Sequence, residues 1–390
     1  MSSPTLYAVP TGFWEADLGF DSFVATQDPI GDAIRNCCEG DSIWCFPGKF
    51  PRAKGPFGGV RGVHILGWDR ALGVTEIVRD DTVGSSDNFI LGPGDSNFIL
   101  ERLNLELDDR AGVKTTAGVG YPHALIDVFM YGRGSPHDPT WNDTAKWGVH
   151  AYETAGWNEI RVFKWGVYGE HGGYFHNIQG VHNFVGGGAG YLGGCDLFFA
   201  NRMNEGPIGK GDVNIQDRTV KEVCVGQGGS AYTFRGGMPT SRVTLRRVKA
   251  QLGCDPMLAT PFNQNICGVV SMDSADETRP GAGDAAYPGG TDQLYLDECD
   301  FEVGTVWPGR TGMIRPVVQV SAVGNFIVAN TRIKVKRASG AYPIAIAIGE
   351  GVGNVQFIGQ NQIDGWIDYH GTRYTTLDLF RGAHPECFGL

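Results

Sequence analysis

Short apolar runs bounded by glycine or asparagine recur along this chain. They include residues 62–67, 97–104, 158–164, 241–248, 293–297, 325–330 and 354–359. Within them apolar and polar positions alternate with the period of a strand: Leu294 and Leu296 are expected in a core, with Gln293, Tyr295 and Asp297 toward solvent. Several begin with Asn, an apolar residue, any residue and another apolar residue, and are followed by a second short strand. The clearest case is 354–359 followed by 362–367. The repeat is loose, about 20 to 30 residues, with longer insertions at 107–120 and 272–292. No such unit can bury its own apolar face, so neighbours must stack into a solenoid. Residues 60–370 would supply roughly 13 coils and a rod on the order of 60 Å, with asparagines and glycines turning the corners.

One segment breaks the strand pattern. Ile30, Ala33, Ile34, Cys37 and Cys38 follow helical spacing behind an Asp28-Pro29 start signal, and Gly40 ends the helix. A strand over 42–46 follows and stops at Pro47-Gly48. This order, through Lys49 and Phe50, resembles the way pectin-lyase-like right-handed parallel β-helices begin, where the helix plugs the first coil. The resemblance covers some 25 residues. It implies an all-β chain, a single-stranded right-handed parallel β-helix with a short N-terminal capping helix. The divisions are an extended arm over 1–29, capping helix and first strand over 30–50, β-helix over 51–375, and a C-terminal tail over 376–390.

Composition agrees. Glycine accounts for 59 of 390 residues, about twice the usual share, which means many tight turns and few long helices. An antiparallel sandwich or propeller ranks lower because the hairpin dipeptides Asn-Gly and Asp-Gly occur only at Asp364-Gly365. The formal charge of −11 disfavours general binding to nucleic acid or anionic membrane. No apolar run approaches the length of a membrane span. The first residues carry neither the basic nor the apolar region of a secretory signal, so synthesis and folding in a cytoplasm are expected. The nine scattered cysteines form no Cys-x-x-Cys and read as free thiols.

Candidate chemistry concentrates in 141–202, where aromatic residues lie among histidines and acids. Aromatic planes beside carboxylates suit sugar rings, whose apolar faces stack while their hydroxyls find acceptors. The carbohydrate-binding candidates are Trp147, Trp157, Trp165, Tyr168, His171 and Tyr174. A glycosidase would need two carboxylates flanking the bond, and the catalytic candidates are Glu153, Glu159, Glu170 and Asp196. His171, His176 and His182 do not form His-Glu-x-x-His, and the glycines at 172 and 173 oppose a helix there. Asp292, Asp297 and Asp300 are weak candidates for a cation, because pectate-lyase relatives hold calcium with acids on a sheet face. Gly188, Gly190 and Gly193 match G-x-G-x-x-G, but the residues beyond read as strand, so dinucleotide binding is rejected. No cofactor is expected.

The resemblance implies two classes of protein: polysaccharide lyases, hydrolases and esterases, usually secreted, and virion proteins, usually trimeric. The missing signal and the free thiols point to the second. The leading expectation is a bacteriophage structural protein: capsid decoration, minor tail protein or tail spike. It would be made in host cytoplasm and present a homotrimeric β-helix at the virion surface. Its partners would be other virion proteins, with host glycans as a candidate ligand. Tyr7, Phe13, Trp14 and Phe20 would anchor the arm on a neighbour. The chain stops some 20 residues after its last coil, which ranks tail spike below the other two. The alternative is a polysaccharide lyase or glycoside hydrolase of the same fold.

Overall fold

The computed structural model describes residues 5–9, 22–24, 27–53, 55, 57–78, 89–91, 95–107, 111–115, 122–132, 147–152, 154–167, 171–200, 211–223, 230–235, 241–252, 267–272, 291–304, 316–336 and 343–389. Their strands stack in parallel into three columns, and the chain visits the columns in turn to form a parallel β-helix. The first column runs from Ser42–Cys45 through Gly156–Ile160 and Arg242–Arg246 to the far half of Ile344–Ile358. The second is an eleven-stranded sheet from Gly48–Pro51 to Gln362–Asp364. The third runs from Phe89–Leu91 through Trp147–Tyr152 to Trp366–Tyr369.

Among the described residues the second column holds eleven strands, ten of them within the 60–370 expected to supply 13 coils, and they make a rod about 50 Å long at the usual strand spacing. The difference lies in turn length. Ile346 pairs with Ile367 and Leu245 with Leu296, so one turn consumes as few as 21 and as many as 51 residues.

Both ends are closed. Helix α1, Pro29–Asn36, starts where the Asp28 side chain accepts from the Gly31 N–H at 3.0 Å, and it buries Ile30, Ala33 and Ile34 under the first coil. Residues 5–9 and 22–24 are not an arm free of the rod: Thr5–Val9 pairs with Ser42–Cys45 and with Ser22–Val24, extending the first column below the first coil. At the other end, the expected tail contains helix α2, Leu377–Ala383, capped by Thr376. It presses Phe380 against Phe357 and Tyr369, which keeps the last coil from exposing its core.

The interior follows strand alternation. Leu294 and Leu296 are fully buried as expected, and Phe175, Phe199 and Phe234 stack face to face on successive coils at 5.0 and 5.4 Å. The corner between the first and second columns is built differently from the expectation. On successive coils it is occupied by Arg102, Asp127, Arg161, Gly186, Asp217, Arg247, Glu298, Asn330 and Gly359, all with φ between 47° and 69°. The left-handed conformation costs an L-residue roughly 1–2 kcal/mol. Ion pairs between successive corners offset part of that cost: Asp127 with Arg161 at 2.5 Å and Asp217 with Arg247 at 2.6 Å. Asn158, Asn183 and Asn214 do not turn corners. They stand mid-strand on the outer face, where the Asn183 Nδ2 donates to the Asn158 Oδ1 at 2.9 Å and the Asn214 Nδ2 to the Asn183 Oδ1 at 3.0 Å.

Candidate functional site

Strand alternation in coils 147–200 sends aromatic side chains in three directions. Gly156–Ile160 points Trp157 and Glu159 inward, and both are fully buried. Phe163–Trp165 points Lys164 inward and leaves Phe163 and Trp165 about half exposed, at 51% and 47%. Trp147–Tyr152 and His171–His176 carry the third group on the outer face of the third column.

The inward group is an ion cluster in the lumen of the rod. The Lys164 ammonium donates to both Glu159 oxygens at 2.7 and 2.9 Å, and the Arg218 guanidinium grips Asp196 at 2.6 and 2.9 Å. Arg218 also reaches Glu159 at 3.3 Å, and the Trp157 indole N–H donates to Glu159 at 3.3 Å. All four charged side chains have zero exposure. Burial pulls the Lys164 ammonium below its usual range, against the opposing Glu159 charge. Burial would lower Arg218 too, but the Asp196 charge and hydrogen bonds hold it raised. Gly173 makes the room: a Cβ there would come within 3.3 Å of the Lys164 Nζ.

Two carboxylate candidates and one aromatic candidate are thereby corrected. Glu159 and Asp196 neutralise buried cations instead of facing a groove, and Trp157 is core. Glu153, Glu170, Tyr168, Phe13, Trp14 and Phe20 lie outside the described residues, and Tyr7 lies on the strand paired to 42–45, in register with Trp44.

The third-column group brings Trp147, His171 and Tyr174 together, with His150, Tyr152, His176 and Phe198 added. His150 stacks parallel to Tyr174 at 5.4 Å and meets Trp147 at 4.4 Å, while His171 stacks on Phe198 at 4.8 Å. His150 and His176 approach through their Nε2 atoms at 3.3 Å. These rings are largely covered: His150, Tyr174 and His176 retain 6%, 7% and 1% exposure. The three histidines considered as one group in the sequence are split, because His182 faces the core and donates to the Gln179 carbonyl at 2.9 Å.

The second-column group is the exposed one. Phe129 and Phe163 are register neighbours, as are Tyr131 and Trp165. On the next coil their partners are Gly188 and Gly190. A Cβ at Gly190 would strike the Trp165 ring at 2.5 Å, so the indole lies down across the glycine backbone, its edge held by Tyr191 at 4.6 Å. Tyr131 is anchored from below by a hydrogen bond to Glu76. The result is an aromatic shelf on the outer side of the eleven-stranded sheet. Neither Phe163 nor Tyr191 was singled out as a ligand contact in the sequence.

The acids proposed for a cation are not assembled. Asp297 pairs with Arg246 at 3.2 Å and Asp300 with Arg332 at 2.7 Å. Among the described residues no group of three or more His, Cys, Asp or Glu is placed to hold a metal ion, and no helix is long and apolar enough to cross a membrane.

Comparison with known proteins finds no matching family model, no matching curated protein and no matching solved structure. The site must be read from its own geometry.

Proposed function

We propose that this chain is a non-catalytic glycan-binding rod, a bacteriophage virion surface protein that presents its second-column aromatic shelf to host surface saccharide. The observation that carries the reading is the pair Phe163 and Trp165, about half exposed and directed outward from an eleven-stranded parallel sheet. A buried aromatic stabilises a core, whereas one held flat at the surface beside a glycine floor offers a stacking plane for a pyranose ring. The closed ends suit a rod whose core must stay covered at both tips. The assembly we propose is a homotrimer seated on other virion proteins.

Affinity electrophoresis of the full chain through gels containing capsular and cell-wall polysaccharides from candidate hosts tests the binding. Retardation by at least one polymer is expected, with no reducing ends or unsaturated uronates released. Phe163→Ala/Trp165→Ala should abolish the retardation and leave the unfolding midpoint little changed, since neither ring is core. Retardation that survives this double substitution contradicts the reading, and shortening of the polymer favours the lyase or hydrolase alternative. Light scattering tests the trimer separately.

A further inference from the structure

We infer that the saccharide taken by this shelf is anionic, a uronate-bearing or otherwise acidic chain lying along the rod axis. The inference rests on the binding role proposed above for Phe163 and Trp165.

Two coils beyond Trp165 the same outward row carries Lys221, since Trp165 pairs with Gly190 and Gly190 with Lys221. Three coils beyond Phe163 the adjacent row carries Lys249, through Gly188 and Thr219. Both lysines are exposed, and neither makes an ion pair among the described residues. Further along, the cations of this face are engaged: Arg332 binds Asp300 at 2.7 Å and Lys334 approaches Glu302 at 3.9 Å. Lys221 and Lys249 are therefore exposed cations on the rows of the shelf, about 10 and 14 Å from the aromatic pair at the usual strand spacing, with Asp300 in register with Lys249 on the following coil.

Gly190 alone separates Trp165 from Lys221, while Gly188 and then Thr219 separate Phe163 from Lys249. A sugar ring stacked on Trp165 would continue over Gly190 and bring an acid group to Lys221 without meeting a side chain. Charge complementarity decides the class of ligand. The chain carries −11 overall, so it repels polyanions at long range. An acidic polymer gains local attraction where these two ammonium groups are presented beside the shelf, which favours binding in this register. Two lysines are too few for a nucleic acid, whose affinity is built from many phosphate contacts.

The test is a titration of the full chain with polyglucuronate, with the same polymer after its carboxylates have been reduced to alcohols, and with single-stranded oligothymidylate. Wild type should bind polyglucuronate roughly tenfold more tightly than the reduced polymer, and the difference should shrink at high salt. Lys221→Gln/Lys249→Gln should remove that preference while leaving binding of the reduced polymer unchanged. Phe163→Ala/Trp165→Ala should remove binding of both. Equal wild-type affinity for the two polymers, or a lysine variant that keeps the preference, overturns the anionic assignment while the shelf reading stands. Binding of neither polymer overturns the shelf reading and this assignment with it. Tighter binding of oligothymidylate overturns the choice of saccharide.

Discussion

Substituting Arg218 with methionine tests whether the lumen charges hold the fold or merely occupy it. The methionine fills much of the same volume but removes both hydrogen bonds to Asp196, at 2.6 and 2.9 Å, and the contact to Glu159 at 3.3 Å. Two carboxylates would then share one ammonium, Lys164, with all three side chains at zero exposure. Zero exposure keeps bulk solvent from screening the surplus charge. Removing one partner of a buried pair costs about 3–5 kcal/mol, most of it the price of the charge left behind. Restoring neutrality by Arg218→Met/Asp196→Leu should recover at least about 2 kcal/mol of that loss, because apolar replacement of a whole buried pair is often near neutral. Equilibrium urea unfolding of wild type, both single variants and the double variant completes the cycle, with a constant slope confirming that the extent of unfolding is unchanged. A loss below about 1 kcal/mol for Arg218→Met, or single-variant losses that simply add, would refute the argument.

Three further predictions follow from the interior and the corners. His123 and His182 are neutral in the fold because burial pushes both down to about 4 from the ordinary 6.5, so the unfolded chain takes up their protons first. Their contribution should be complete above about pH 6.5 and decline toward pH 4, and His182→Leu should flatten that part of an acid-unfolding curve; an unchanged slope would contradict it. At Gly187, φ is 72° and a Cβ would run into the Val162 carbonyl oxygen, so Gly187→Ala should cost about 2–4 kcal/mol in the same urea assay, whereas a loss under 1 would mean that the corner yields. Asn183→Ala interrupts the amide ladder between Asn158 and Asn214 and should cost about 1 kcal/mol by thermal or urea unfolding; no loss would mean the ladder only decorates the surface.

What the sequence revealed and what it hid have distinct physical causes. The start of the capping segment was legible because Asp28 and Pro29 act locally, and the structure starts the helix at Pro29; it ends at Asn36, short of the expected Cys37, Cys38 and Gly40, because Cys37 is already extended. Residues 291–297 were legible because each inward leucine lies between outward polar residues, so period two has one reading. Residues 163–165 invert that pattern. An aromatic, lysine, aromatic triplet reads as lysine outward, yet Lys164 points into the lumen because Glu159 waits there, and the two rings are turned out. A signal did exist: Trp157 and Glu159 are two residues apart on one strand, so placing the tryptophan in the core commits the carboxylate to it. The corner ladder carried no comparable signal. Arginine and glutamate are poor left-handed residues in isolation, and only stacking shows that a corner arginine pairs with a corner aspartate above or below. The carboxylates named for catalysis were treated as a surface set because spacing in a sequence does not say which side of a wall a residue faces.

The most direct test of the saccharide shelf is a structure of the full chain bound to an oligosaccharide from a polymer that retards it. The account predicts an intact sugar chain along the second column, one ring stacked on Trp165 or Phe163 and the next crossing Gly188 and Gly190. Sugar density on the covered third-column face around Tyr174 and His176, or a cleaved ligand anywhere on the rod, would contradict it.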